Sequence, residues 1–122
     1  MNKSKQGYLD SIEKETLDNT NFRKVLFTGG FSQLVVMDIK PLEEIGLEKH
    51  EGHDQFIRVE KGEATVVLGD ETFEVKEGDA FIITSGVLHN VTNTSSIESL
   101  KLYSIYSPAE HADGLIQEEK PI

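Results

Sequence analysis

The alternation of apolar and polar residues predicts a chain built almost entirely of short strands. From residue 22 to residue 107, apolar positions recur two residues apart, and glycine-containing turns separate the runs. Alternation with a period of two is typical of strands that bury one face. Turns at such regular spacing favour a β-sandwich or barrel over a parallel α/β sheet. The predicted strands are 25–28, 33–39, 55–59, 64–68, 72–75, 80–84, 89–92 and 100–106.

The same alternation predicts which side chains face the core. Residues two apart in a strand point to the same side, so each apolar run defines one inward face. Arg58 lies between two inward positions and should therefore point away from the interior. The predicted inward set is Val35, Met37, Ile57, Val59, Val66 and Ile82.

Both ends of the chain are polar and fall outside the predicted barrel of residues 22–107. Residues 1–21 are expected to form an N-terminal arm or one short helix, and residues 108–122 a polar tail in which His111 is solvated. No apolar stretch approaches the roughly 20 residues that cross a bilayer. The first ten residues lack the apolar core of a secretion signal. These features predict a cytoplasmic protein with no membrane partner.

Composition narrows the classes of function further. A chain of 122 residues with 37% apolar residues suits one domain with one core. The absence of cysteine excludes disulfides, thiolate catalysis and cysteine–zinc sites. Acidic residues outnumber basic ones 22 to 12, so the net charge is −10. Such a field repels a polyanion, and we therefore expect no nucleic-acid partner.

Four polar side chains in or before the predicted strands are candidates for a metal site. Glu48 and His50 are two residues apart and share a face, and Gln55 shares the inward face of the next strand. His89 opens a later strand. If the strands close into a barrel, the four donors converge on an apolar interior, where a divalent ion would satisfy them. The alternative is that each is an ordinary hydrogen-bonding or surface side chain.

The spacing of these residues resembles the two motifs of the cupin family. The motif G-x5-P-x-G-x2-H-x3-N corresponds to Gly78, Thr84, Gly86, His89 and Asn93, with threonine in place of proline. The other motif is G-x5-H-x-H-x(3,4)-E-x6-G, which this chain matches with the longer, four-residue spacer. It corresponds to Leu42, Glu48, His50, Gln55 and Gly62. Three of those positions depart from the pattern: Leu42, Glu48 and Gln55.

A closer resemblance is to small bacterial cupins described as mannose-6-phosphate isomerase-like. Their pattern E-x-H-x4-Q, followed by F-x-R-x-E-x-G, matches residues 48–62. The resemblance implies an all-β cupin jelly-roll, that is, a conical antiparallel β-barrel. It also implies a homodimer formed by strand exchange, with residues 22–28 the expected donor strand. The implied cofactor is one divalent metal ion, namely zinc, iron, manganese or nickel, held by Glu48, His50, Gln55 and His89.

Two classes of function remain open at this point. The first is a metal-dependent enzyme on a small polar substrate, either sugar isomerase-like or dioxygenase-like. The second is a module that binds a metal and a small-molecule ligand without turnover. A phosphosugar needs a cationic side chain to anchor its phosphate. An outward-pointing Arg58 does not supply that anchor and therefore counts against a phosphorylated substrate. Beyond the ligands themselves, only His53 and Tyr103 are candidate general bases.

Overall fold

A computed structural model describes residues 6–122 of the chain. All eight predicted strands are confirmed, with ends that differ by a few residues, and residues 12–18 form a short helix. None of the described helical residues belongs to a segment long and apolar enough to cross a membrane. The elements are α1 (Ile12–Asp18), β1 (Arg23–Thr28), β2 (Gln33–Ile39), β3 (Asp54–Lys61), β4 (Glu63–Leu68), β5 (Glu71–Lys76), β6 (Ala80–Ile83), β7 (His89–Asn93), β8 (Leu100–Ser107) and β9 (Ile116–Gln117).

The strands form two antiparallel sheets. One has six strands in the order β6-β3-β8-β2-β1-β9, and the other has three in the order β5-β4-β7. Consecutive strands β1–β2 and β4–β5 pair directly, whereas β3 pairs with β8 and β4 with β7 across the sequence. This arrangement confirms the expected all-β, antiparallel barrel architecture.

The core lies between the sheets and consists of the inward faces of the strands. Five of the six predicted inward residues are at most 1% exposed: Val35, Met37, Ile57, Val59 and Val66. The prediction for Ile82 is wrong, because its side chain is 58% exposed while Ile83 is 3% exposed. In the β3–β6 pairing Ile83 lies opposite the inward-facing Gln55, so both residues share the inner face. The continuous apolar run of β6 gives no alternation from which this register can be deduced.

The backbone at two turn positions explains why the cupin motif has glycine there. Leu42 stands where the first motif has its opening glycine, and its φ is 63°, in the left-handed region that glycine adopts most readily. At Gly62, which closes that motif, a Cβ would lie 2.9 Å from the carbonyl oxygen of Ser99. The fold therefore accepts a strained leucine at the first position and needs glycine at the second.

The C-terminal segment packs against the barrel. Strand β9 pairs with β1, and Val25 N–H donates to the carbonyl of Leu115 at 2.8 Å. Gln33, 1% exposed, accepts hydrogen bonds from the backbone N–H groups of Glu110 and His111. The expectation that His111 is solvated is wrong, because its ring is half buried against Tyr106, with centroids 5.1 Å apart.

Candidate metal centre

Backbone pairing at one end of the barrel brings three of the four predicted ligands together: Glu48, His50 and His89. Glu48 and His89 form an antiparallel bridge in which each N–H donates to the other's carbonyl at 2.8 Å. Further along the same segment, Gly86 N–H donates to the His50 carbonyl at 2.8 Å. The segment carrying Glu48 and His50 thus runs beside the turn that leads into β7. The two cupin motifs, distant in sequence, are therefore adjacent in space.

The side chains of Glu48, His50 and His89 offer ligand atoms that all lie within 4.8 Å of one another. The rings of His50 and His89 have centroids 5.1 Å apart. His50 Nε2 lies 2.7 Å from Glu48 Oε2, yet this nitrogen is buried and has no partner in hydrogen-bonding geometry. Two imidazoles and a carboxylate at this separation form a donor set that transition metals favour.

A backbone hydrogen bond fixes which ring nitrogen of His89 carries the proton. Its Nδ1 is 2.8 Å from the carbonyl oxygen of Val87, which can only accept a hydrogen bond. Nδ1 is therefore the protonated nitrogen, and Nε2 keeps a free lone pair. This tautomer is the one that a metal ligand needs.

Gln55 presents an amide oxygen without a partner. Its Nε2 donates to Ser104 Oγ at 3.2 Å and to Tyr106 Oη at 3.1 Å, which accounts for both amide hydrogens. The Oε1 atom is buried and accepts no hydrogen bond. A buried carbonyl-type oxygen without a donor is costly, and a cation would satisfy it. The four residues therefore fit a divalent ion.

A small cavity lies beside three of these donors, Glu48, Gln55 and His89. Its volume of about 10 Å³ is roughly what one water molecule or one ion requires. Burial raises the pKa of Tyr106 against the opposing field of Arg23, so its hydroxyl stays protonated at neutral pH. The lining consists of Ile45, Glu48, Gln55, Ile57, His89, Val91 and Tyr106.

Glu110 is a site residue that sequence reasoning missed. Its Oε2 lies 2.8 Å from His50 Nδ1 and 2.7 Å from His53 Nε2. His50, His53 and Glu110 form a second group of donors within 4.8 Å of one another. No spacing signal points to Glu110, because it lies in the polar tail far from both motifs. Only the packing of that tail on Gln33 brings it to the histidines.

The structure also places the other residues that the sequence analysis considered, namely His53, Tyr103 and Arg58. His53 has its ring centroid 5.1 Å from that of His50, with a side chain only 9% exposed. Tyr103 does not reach the centre, because it is paired with Arg58 on the outer face and its ring lies beside Phe56. Arg58 is 41% exposed at its side chain and lies 3.7 Å from Glu60, as its predicted outward orientation requires.

Comparison with known proteins identifies the family and the fold of this chain. The Cupin domain family matches residues 35–106, more than half of the chain. Protein L612 of Acanthamoeba polyphaga mimivirus is 41% identical over 95% of this chain and 74% of its own length. Protein YrkC of Bacillus subtilis is 38% identical over 93% of this chain and 63% of its own length.

A solved structure shares the whole fold. The crystal structure of BH2720 from Bacillus halodurans superposes with a TM-score of 0.93 at 40% identity. The similarity covers 98% of this chain and 94% of BH2720. Because the family match spans more than half of the chain and the two motifs lie side by side at one end of the barrel, the chain belongs to the cupin family.

Proposed function

We propose that this cupin binds one divalent metal ion through Glu48, His50, Gln55 and His89. The observation that carries the proposal is the buried, unpartnered Oε1 of Gln55 beside a cluster of imidazole and carboxylate donors. A protein interior rarely leaves such an oxygen unsatisfied, and a cation supplies the missing partner. The hydroxyls of Ser104 and Tyr106 keep the amide in the orientation that directs Oε1 away from them.

The donor set suits borderline transition metals. Two neutral imidazoles, one carboxylate and one amide oxygen leave a divalent ion with a net charge of about +1. Zinc, iron, manganese and nickel all accept such a set, and metal availability selects among them. When bound, the ion would supply a Lewis acid held by these four side chains.

Besides the proposed ligands, the cavity wall carries one hydroxyl and several apolar side chains. Tyr106 Oη accepts from Gln55 and lies 3.4 Å from His111 Nε2, and burial keeps its proton in place. Ile45, Ile57 and Val91 form the apolar part of the wall. A ligand that approaches this end of the barrel would meet the Tyr106 hydroxyl beside this apolar wall.

The wall favours a dioxygenase-like activity on a small polar substrate over isomerisation of a phosphosugar. The likeness of residues 48–62 to the mannose-6-phosphate isomerase-like cupins supports a place in that group, but a phosphate needs a cationic anchor. Arg58 is on the outer face with Glu60. Arg23 is 8% exposed and donates to Gln117 Oε1 at 2.6 Å. An apolar wall of isoleucine and valine suits oxygen chemistry, which two histidines and a carboxylate commonly support.

A non-catalytic binding module is the second candidate. The cavity volume of about 10 Å³ favours it, because the ion itself fills that space. Oxygen-uptake assays of the iron-loaded protein with diketones and flavonols, beside sugar isomerisation assays, separate the two. Turnover supports the enzyme, whereas ligand-induced spectral change without turnover supports the module.

We also propose that the protein is a cytoplasmic homodimer. It binds a small-molecule ligand, but neither nucleic acid nor a membrane. The short strands leave sheet edges, including β6 and β5, and edges promote pairing between chains. The net charge of −10 supports the absence of polyanionic partners. Sedimentation that shows a monomer at micromolar concentration would contradict the dimer.

Metal titration of two variants tests the ligand set. Glu48→Gln removes the only formal charge among the four ligands, so we expect affinity to fall at least ~10-fold. Gln55→Glu adds a charge and should keep the ion bound at least as tightly. The exposed Glu44→Gln serves as the control and should leave affinity unchanged. If Glu48→Gln binds metal as tightly as the parent does, the assignment of Glu48 as a ligand fails. Separately, elemental analysis of protein purified without chelator identifies the natural ion.

A further inference from the structure

We infer that Glu110 is a positioning residue for the metal centre, because its carboxylate accepts the Nδ1 proton of His50 and so directs the Nε2 lone pair toward the ion. This inference rests on the proposed function. Glu110 Oε2 lies 2.8 Å from His50 Nδ1, while His50 Nε2 lies 2.7 Å from Glu48 Oε2. An imidazole that binds a metal through one nitrogen carries its proton on the other, and that N–H needs an acceptor.

The Nδ1 protons of His89 and His50 have different acceptors. His89 donates its Nδ1 proton to a backbone carbonyl, that of Val87, at 2.8 Å. His50 instead meets a carboxylate on its Nδ1 side. A carboxylate is the stronger acceptor, and it makes the imidazole a more basic ligand. Loss of Glu110 should therefore weaken the contribution of His50 and leave that of His89 intact.

Glu110 is held in place by the barrel rather than by its own segment. The side-chain oxygen of Gln33 accepts from the backbone N–H of Glu110 at 3.2 Å and from that of His111 at 2.9 Å. The Gln33 amide nitrogen donates to the His111 carbonyl at 2.7 Å. Three hydrogen bonds from one buried side chain thus fix the backbone from which the carboxylate extends. The position of Glu110 is a property of the folded core.

His53 raises the alternative that Glu110 is itself a ligand. His50, His53 and Glu110 also form a compact donor group, with His53 Nε2 2.7 Å from Glu110 Oε2. A neutral imidazole has only one lone pair. If His50 Nε2 binds the ion beside Glu48, its Nδ1 is protonated and unavailable to a second ion. Only His53 and Glu110 would then remain, which is fewer than the three protein ligands that catalytic zinc sites use.

Cobalt(II) titration combined with proton NMR tests the inference. In the Co²⁺-loaded parent, His50 and His89 should each give a hyperfine-shifted, exchangeable Nδ1–H resonance. Glu110→Ala should lose one of them to solvent exchange, keep the other, and raise the Kd for Co²⁺ at least ~10-fold. Glu110→Gln retains a neutral acceptor and should partly restore both readouts. Asp113→Ala removes a carboxylate from an exposed position of the same segment and should change neither.

Each contrary outcome has a distinct meaning. Two retained resonances and an unchanged Kd in Glu110→Ala would overturn the role of Glu110 while leaving the metal centre intact. Loss of Co²⁺ binding in His53→Ala would make His53 and Glu110 the ligands and would also overturn it. A parent protein without any shifted imidazole resonance would refute the proposed function, and the inference with it.

Discussion

Asp38 and Glu48 are both carboxylates set among packed side chains, but the chain surrounds them differently. The side chain of Asp38 is 2% exposed, and its Oδ2 lies 3.3 Å from the ammonium groups of both Lys40 and Lys101. Glu48 lies 2.7 Å from an imidazole nitrogen of His50 that makes no hydrogen bond. One carboxylate is therefore neutralised by fixed cations of the chain, and the other faces groups that offer lone pairs.

This difference separates a structural cluster from a ligand site. Lys101 Nζ also donates to the Asn19 carbonyl at 2.7 Å, so the Asp38 cluster joins β2, β8 and the segment after α1 without any added ion. Around Glu48 the donors are imidazoles and the Oε1 of Gln55, none of which is a permanent cation. A partly buried carboxylate such as Glu48, 29% exposed, is stabilised by a nearby positive charge. Where the chain does not supply that charge, a metal ion is the expected source.

The largest expected effect comes from removing the charge of Asp38. Asp38→Asn leaves the largely buried ammonium of Lys101 without its counterion, and breaking a buried pair typically costs about 3 kcal/mol or more of the free energy of unfolding. The variant should nevertheless bind Co²⁺ with the affinity of the parent. Urea unfolding and metal titration of the same preparations measure both quantities.

The exposed Asp70→Asn, in the β4–β5 turn, is the matched control and should stay within about 0.5 kcal/mol of the parent. A fall in metal affinity of Asp38→Asn without a loss of stability would remove the distinction between the two clusters.

Gln33→Met should affect both stability and metal binding. Methionine fills a similar volume but leaves the backbone N–H groups of Glu110 and His111 without their acceptor, at a cost of about 2 kcal/mol. Since the segment that carries Glu110 is then released, the Kd for Co²⁺ should rise as well. Thr28→Val removes only one partner of the Gln33 amide and is the control. Equal effects of the two variants on the Kd would show that the hold on Glu110 is irrelevant to the metal.

The smallest expected effect is a pH dependence at the histidine-rich end of the barrel. Burial lowers the pKa of His111 to about 4, and the charges of Arg23, His50 and His53 act in the same direction. Between pH 6.5 and 4 the unfolded chain therefore takes up a proton that the folded chain does not, so stability falls as the pH falls. Because the ring is half exposed, the contribution should not exceed about 1 kcal/mol.

Urea unfolding of the metal-free protein at pH 7 and pH 5 measures this contribution. His111→Gln should lose less stability than the parent over the same interval, whereas Asp38→Asn should follow the slope of the parent. An identical pH dependence of the parent and His111→Gln would exclude His111 as the source.

The strand pattern and the first donor set were accessible from the sequence because both depend on local spacing. Alternation predicted the eight strands and the outward side of Arg58, and motif spacing selected His50 and His89. The errors have a common cause. Ile82 lies in a run of apolar residues without alternation, so its face was decided by pairing with β3. His111 lies in a polar segment, and its burial was decided by contact with Tyr106 and Gln33.

By itself, the sequence determined which side chains offer ligand atoms and which face of a strand Gln55 occupies, because these follow from side-chain chemistry and a period of two. Only the tertiary structure decided which donors keep a free lone pair. That property depends on partners far apart in the chain: Ser104 and Tyr106 hold the amide of Gln55, and Gln33 brings Glu110 to His50. Hydrogen-bond partners separated by 49 to 78 residues leave no local pattern, so their effect arises only when the barrel closes.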